Sequence, residues 1–303
     1  MSTNEAGARN DEEGTRTGVS LMLAVTGVFA TMDALTKHVS MLYPAPQILW
    51  IRYMLFAAYG LAITIRRRGW QALQSNVPVL QVFRGLLLAI EILAFIVAFR
   101  HLPLADVQAV AGAGPILTTA LSVPILSEKV GIRRWTAVGI GLVGLLIIIR
   151  PGMEGFEPLL LLPLSGTVLY AVYLVLTRVV ARHDRPDTTV LYTGMTGLIT
   201  MSLIGPFYWE PPDAQGLLLL ICIAMLSLAG HGLQIKALSL TPASVLQPLS
   251  YLTIIWATIL GYVFYDDLPD LPTVMGALII AGSGLYTFHR ERVRTGRNEA
   301  STS

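Results

Sequence analysis

LPLADVQAVAGAGPILTTALSVPILSEKVGIRRWTAVGIGLVGLLIIIR, residues 102–150, is the stretch whose reading decides the fold. It divides into an apolar run, a short charged turn at Ser127, Glu128 and Lys129, and a second apolar run rich in glycine. Moved along by 138 positions it falls on LTPASVLQPLSYLTIIWATILGYVFYDDLPDLPTVMGALIIAGSGLYTF, residues 240–288. Leu102, Ala105, Val107, Ile116 and Gly144 meet identical residues, and Glu128 meets Asp266. A repeat of that period splits the chain into two halves of one plan. The turns differ in charge. The first carries Lys129, Arg133 and Arg134; the second carries Asp266, Asp267 and Asp270 without Lys or Arg. Cytoplasmic loops collect Lys and Arg, which puts the two turns on opposite sides of a membrane. The expected fold is therefore all-α integral membrane, ten transmembrane helices as two inverted five-helix repeats, a plan that many secondary transporters share.

Composition agrees with a bilayer. Of 303 residues, 54% are hydrophobic and 13% charged, against about 25% charged in soluble domains, and mean hydropathy is +0.64. A net charge of +2 gives no sign of nucleic acid as a partner. Cys222, the single cysteine, excludes an internal disulfide and any cysteine-based metal site. Spans of about 20 apolar residues are expected near 18–40, 47–66, 78–100, 104–126, 132–150, 159–180, 188–208, 215–238, 242–264 and 271–289. Residues 1–17 lack the basic start of a secretory signal and read as a cytoplasmic tail, with 290–303 as a second. The repeats then occupy 18–150 and 151–289. Sixteen Lys and Arg fall on the side of the termini and three on the other (Lys37, Arg100 and Arg150), while Arg52 and Arg84 lie within spans. That bias places both termini in the cytoplasm.

Several motifs carry a family resemblance. They are ALSLTPASVLQPL at residues 237–249, the acidic turns at Glu128 and Asp266, the glycine-flanked run from Gly276 to Gly282, and Ile51-Arg52-Tyr53 in the second span. With these the chain resembles the drug/metabolite transporter superfamily, specifically ten-helix bacterial permeases with two EamA-type domains. The first copy departs from the pattern with Pro103-Leu104-Ala105 in place of Thr-Pro-Ala, and the second has Thr253 where the first has Pro115. The resemblance implies an inner-membrane, multi-pass location. It also implies a central cavity among spans 1–4 and 6–9, with spans 5 and 10 at the periphery.

Charge inside a bilayer costs about 2.5–3.5 kcal/mol on insertion scales, so each buried ionisable group is a candidate. Asp33 and Lys37 share a face of span one, and Asp33 and Arg52 lie ten and nine residues from the turn at Tyr43. A cluster of the three is expected, either as an ion pair tying helices together or as a substrate or proton contact. Glu91 falls mid-span with Arg84 two turns earlier; it is a cavity group or the partner of Arg84, which is expected to snorkel to water. His231 stands near Gln234. Tyr170, Tyr173, Gln247, Tyr251 and Trp256 are the polar and aromatic candidates, with Trp50 and Tyr53 beside them. Each of these has packing as its alternative. Gly112, Gly114 and Pro115 interrupt span four and Pro248 interrupts span nine, as hinges or static kinks.

Gly139, Gly141 and Gly144 match a dinucleotide motif but sit mid-span without a preceding strand, and read as helix packing. There is no Walker A motif and no metal-ligand spacing among the histidines, so no cofactor or metal is expected. No nucleophile–base or metal arrangement of an intramembrane enzyme is found within the spans. The expectation is a non-enzymatic secondary transporter, monomer or homodimer, exporting small metabolites, amino acids first. Its alternative is proton-coupled efflux of organic cations or drugs.

Overall fold

In lipid a chain must satisfy its own backbone hydrogen bonds, and long apolar runs do so as helices. The computed structural model describes residues 3–68, 74–126, 131–153, 155–241 and 243–299, and every regular element among them is helical. In order these are α1 (Thr3–Leu42), α2 (Ala45–Arg68), α3 (Pro78–His101), α4 (Leu104–Ala111), α5 (Gly114–Leu126), α6 (Ile132–Ile149), α7 (Leu161–Val180), α8 (Pro186–Ile204), α9 (Ala214–Leu240), α10 (Ala243–Leu246), α11 (Leu252–Tyr265) and α12 (Leu271–Glu299). The charged turn at Ser127, Glu128 and Lys129, on which the repeat turns, lies outside the described residues, as does Pro242. Helix α1 continues through the polar N-terminal segment, and α12 runs on past residue 289.

Among the described residues six helices are long and apolar enough to cross a membrane: Gly14–Leu42, Pro78–His101, Leu104–Leu126, Pro158–Val180, Pro186–Tyr208 and Ala214–Leu240. Three more, Trp135–Ile149, Leu249–Tyr265 and Leu271–Tyr286, are apolar but shorter. Helix α2 stands in neither group. Large apolar side chains also cover the outer surface, with Phe207 86% and Leu203 70% exposed. Such a surface suits lipid, where packing rather than apolar burial holds helices together.

Helices distant in the chain pack in pairs. Helix α1 packs on α9 and α3 on α7; α2 packs on α8 and α6 on α12; α1 meets α11 as α7 meets α5. Among these six pairs, exchanging α1, α2, α3, α5 and α6 with α7, α8, α9, α11 and α12 returns the same set. The α6–α12 crossing brings backbone against backbone. A Cβ on Gly144 would sit 2.8 Å from the carbonyl oxygen of Gly276, and one on Gly276 2.5 Å from that of Gly144. The glycine motif of α6 thus allows two backbones to touch.

Two spans are broken at the interruptions read from the sequence. The fourth parts into α4 and α5 at Gly112 and Ala113, with Gly114 and Pro115 opening α5. The ninth passes through a 3-10 segment, Gln247–Tyr251, between α10 and α11. Proline cannot donate a backbone hydrogen bond, so Pro115 and Pro248 stand where the ladder is already interrupted. Helices α4 and α11 pack together. Among the described residues, α5 and α10, beyond the breaks, share no contact of comparable extent.

Candidate functional site

Helices α1, α2, α3, α7 and α9 bring the sequence candidates toward one region. Asp33 on α1 is partly buried, and Gln108 Nε2 on α4 donates to its Oδ2 at 2.8 Å. Arg52 on α2 donates through one terminal nitrogen to Ser227 Oγ on α9 at 2.9 Å. Among the described residues Asp33 and Arg52 form no ion pair, so the expected bond is corrected to a looser arrangement. The charge of Arg52 acts on both Asp33 and Glu91, and that of Asp33 acts on Glu91. Glu91, near the middle of α3, receives no hydrogen bond and forms no ion pair among the described residues.

Two cations leave the cluster. Lys37, 5% exposed, donates to Asp267 Oδ2 at 2.8 Å and to the Leu102 carbonyl at 2.7 Å, with its ammonium 5.1 Å from the centre of the Tyr265 ring. One turn along a helix separates Asp33 from Lys37, and that rise is enough for the lysine to reach the loop after α11. Arg84 neither snorkels to water nor pairs with Glu91. It is wholly buried, donating to Gln81 Oε1 (3.1 Å), the Thr189 carbonyl (3.0 Å), Thr193 Oγ1 (2.6 Å) and Thr177 Oγ1 (3.2 Å). Its guanidinium also lies 4.9 Å from the Tyr173 ring centre. Hydroxyl and carbonyl acceptors at helical spacing on α7 and α8 surround it, which removes its need for a carboxylate.

Tyr170 and Tyr173, one turn apart on α7, stack at 5.8 Å with 19° between planes. Tyr170 is 38% exposed, and the charge of Glu91 acts on it. His231 is exposed, its ring meets Phe29 edge-on at 5.1 Å, it shares a hydrogen bond with Gln234, and the charge of Arg52 acts on it. Tyr53 on α2 is 4% exposed with an unpartnered hydroxyl, and it interacts electrostatically with Arg52, Glu91 and Tyr173.

Other candidates lie elsewhere. Tyr251 packs in the core against Gly284 of α12, its hydroxyl buried without a partner. Trp256 is exposed on α11, and no hydrogen bond, ion pair or ring contact among the described residues joins it to Asp33, Arg52 or Glu91. The side chains of Gln247 and Pro248 lie outside the described part of the chain. Gln108 and Ser227 were missed in the sequence. Gln108 is the one amide in an otherwise apolar stretch, a usable signal; Ser227, one small hydroxyl among many, offers none. Among the described residues no group of three or more His, Cys, Asp or Glu suits a metal ion.

Comparisons with known proteins agree on a class. The model of the EamA-like transporter family matches residues 16–150 and 158–288. The chain is similar to an S-adenosylmethionine uptake transporter of Rickettsia prowazekii (strain Madrid E), 24% identical over 86% of this chain and 88% of that one. It is similar to a pseudopaline exporter of Pseudomonas aeruginosa (strain UCBPP-PA14), 24% identical over 88% and 93%. A riboflavin transporter of Brucella anthropi is 25% identical over 89% of this chain and 98% of its own. A solved crystal structure shares the fold at a TM-score of 0.58 and 20% identity, over 93% of this chain and 99% of that one.

Proposed function

The chain belongs to the EamA-like transporter family, and from that premise we propose a secondary transporter that carries an amino-acid-like metabolite across the bacterial inner membrane by alternating access. The observation that carries this reading is the cluster of Asp33, Arg52 and Glu91 beside the Tyr170–Tyr173 stack. Carboxylate and guanidinium together suit an α-amino acid, whose ammonium and carboxylate would otherwise be costly to strip of water. Two of the relatives are named for an uptake and an export activity; export remains the direction proposed here.

In this reading ten spans form two inverted repeats, residues 18–150 and 151–289, with both termini cytoplasmic. Support comes from the exchange symmetry of the helix contacts and from the charge bias of the loops. With that orientation, α4 and α11 are the outer halves of the two broken spans. Their packing, the Lys37–Asp267 pair and the Tyr265 hydroxyl donating to the Ala34 carbonyl at 2.5 Å close the outer end. The separation of α5 and α10 leaves the inner end open. Gly112, Gly114, Pro115 and Pro248 then sit at the hinges between closed and open halves.

A second reading, proton-coupled efflux of organic cations, is favoured by one observation: Glu91 is a mid-helix carboxylate with no partner among the described residues, free to exchange a proton for a cation. Flux into proteoliposomes of a panel of labelled amino acids, with and without a pH gradient, tests both. Saturable amino-acid flux supports the first reading. Flux of organic cations alone, abolished by collapsing the gradient, would replace it with the second.

A further inference from the structure

Asp33 and Lys37 stand four residues apart on α1, the spacing at which two side chains of a helix meet. The acidic residue comes first, which is the favourable order, and a helical side chain leans back over the turn before it. Left to itself, α1 would pair them. Here each is held by another group. Gln108 Nε2 donates to Asp33 Oδ2 at 2.8 Å. Lys37 Nζ donates to Asp267 Oδ2 at 2.8 Å and to the Leu102 carbonyl at 2.7 Å.

Those partners belong to one unit. Gln108 lies on α4, and Leu102 stands just before that helix begins. Asp267 follows α11, and its backbone N–H donates to the Gly261 carbonyl of that helix at 3.1 Å. Helices α4 and α11 pack on each other. The Tyr265 hydroxyl, at the end of α11, donates to the Ala34 carbonyl on the same turn of α1. A movement that takes α4 and α11 away from α1 therefore removes the partners of Asp33 and Lys37 together. Lys37 is buried, and a buried charge stripped of its partner is strongly destabilising. The counter-charge that travels with it, one turn away on α1, is Asp33.

Resting on the transport reading above, we infer that Lys37 couples the outer end to the candidate site: when α4 and α11 leave α1, its ammonium turns from Asp267 to Asp33. The closed end is held by the Lys37–Asp267 and Gln108–Asp33 bonds, the open end by a Lys37–Asp33 pair. The flexible four-carbon stem of lysine makes the exchange by rotation alone. Opening thus occupies Asp33 from within its own helix, so the state of the outer end and the availability of Asp33 are linked. Lys37 is a positioning residue that acts through Asp33.

Spin labels at two exposed positions measure the outer end directly. Met41 stands on α1 and Leu268 in the loop after α11. Met41→Cys and Leu268→Cys, with Cys222→Ser, carry the labels on the purified full-length protein, and pulsed dipolar spectroscopy gives the distances between them. The parent should show a short distance, and Asp267→Asn should raise a longer population several-fold. Adding Asp33→Asn to Asp267→Asn should remove most of that population, because the open arrangement then lacks an anion for Lys37. In a Lys37→Gln background Asp33→Asn should change nothing, whereas a general effect of residue 33 on packing would persist there. Gln108→Leu frees Asp33 with its charge intact and should raise the longer population by itself, which decides the matter if Asp33→Asn does not fold. A longer population that survives Asp33→Asn, that responds to it equally without Lys37, or that ignores Gln108→Leu would overturn the inference. Proteoliposome flux by the parent is read separately, so the transport reading stands or falls on its own.

Discussion

At the scale of single residues, the polar groups within the helices were visible from their rarity, but their partners were not. Asp33, Arg52, Glu91 and Arg84 stand out in apolar runs because a bilayer tolerates few charges. The groups that hold them are neutral and distant in the chain: Gln108 is 75 residues from Asp33, Ser227 is 175 from Arg52, and Thr193 is 109 from Arg84. No spacing rule links such pairs, so depth relative to the Tyr43 turn points Asp33 to Arg52, and a separation of two turns points Arg84 to Glu91, where the structure gives neutral partners instead. Tyr251 shows the same limit, since its face points to α12 and only the packing reveals it. One residue outside the spans gives a clear pH dependence. Asp184, 8% exposed between α7 and α8, is disfavoured as an anion by burial, yet hydrogen bonds from Ser75, Gln81 and Asn76 outweigh this and hold its carboxyl below the ordinary range. A lowered value in the folded state stabilises the protein above the unfolded value, about 3.9, and that contribution is lost as pH falls through the folded one. Asp184→Asn should therefore lower the melting temperature at pH 7, at a cost of about 1–2 kcal/mol. Measured at stepwise lower pH, the gap from the parent protein should close below about pH 4. A gap that stays constant would show that Asp184 acts by shape and not by charge.

Elements were the most legible level. Length and hydropathy place a helix because lipid offers the backbone no other partner, and glycine and proline mark the breaks at Gly112 and Pro248. Which helices touch is less visible, although small residues at close crossings give a trace. The α6–α12 crossing can be tested by bulk. Gly144→Leu drives a side chain into the backbone of Gly276, and overpacking of this kind costs about 1–3 kcal/mol. Gly139 lies on the same helix with no atom within 4 Å of the position its Cβ would take. Gly139→Leu should then change stability by no more than about 0.5 kcal/mol. Thermal unfolding of both variants in one detergent makes the comparison; equal losses would contradict the packing described for this crossing.

For the whole molecule, an offset of 138 residues is legible in the sequence because residues 102–150 keep register with residues 240–288. The state of the transporter is not, since it depends on which ends of the broken spans meet. Helices α4 and α11 pack together while α5 and α10 do not; the reading proposed above makes these the outer and inner halves of the two broken spans and gives Tyr170 access from the inner side. The most direct measurement places a cysteine at that position in a chain without its native one, Tyr170→Cys with Cys222→Ser, and offers a membrane-impermeant thiol reagent to each face of sealed vesicles. The account predicts rapid labelling from the cytoplasmic face in the absence of solute, slow labelling from the outer face, and protection by the transported solute. Labelling from neither face, or from the outer face alone, would contradict it.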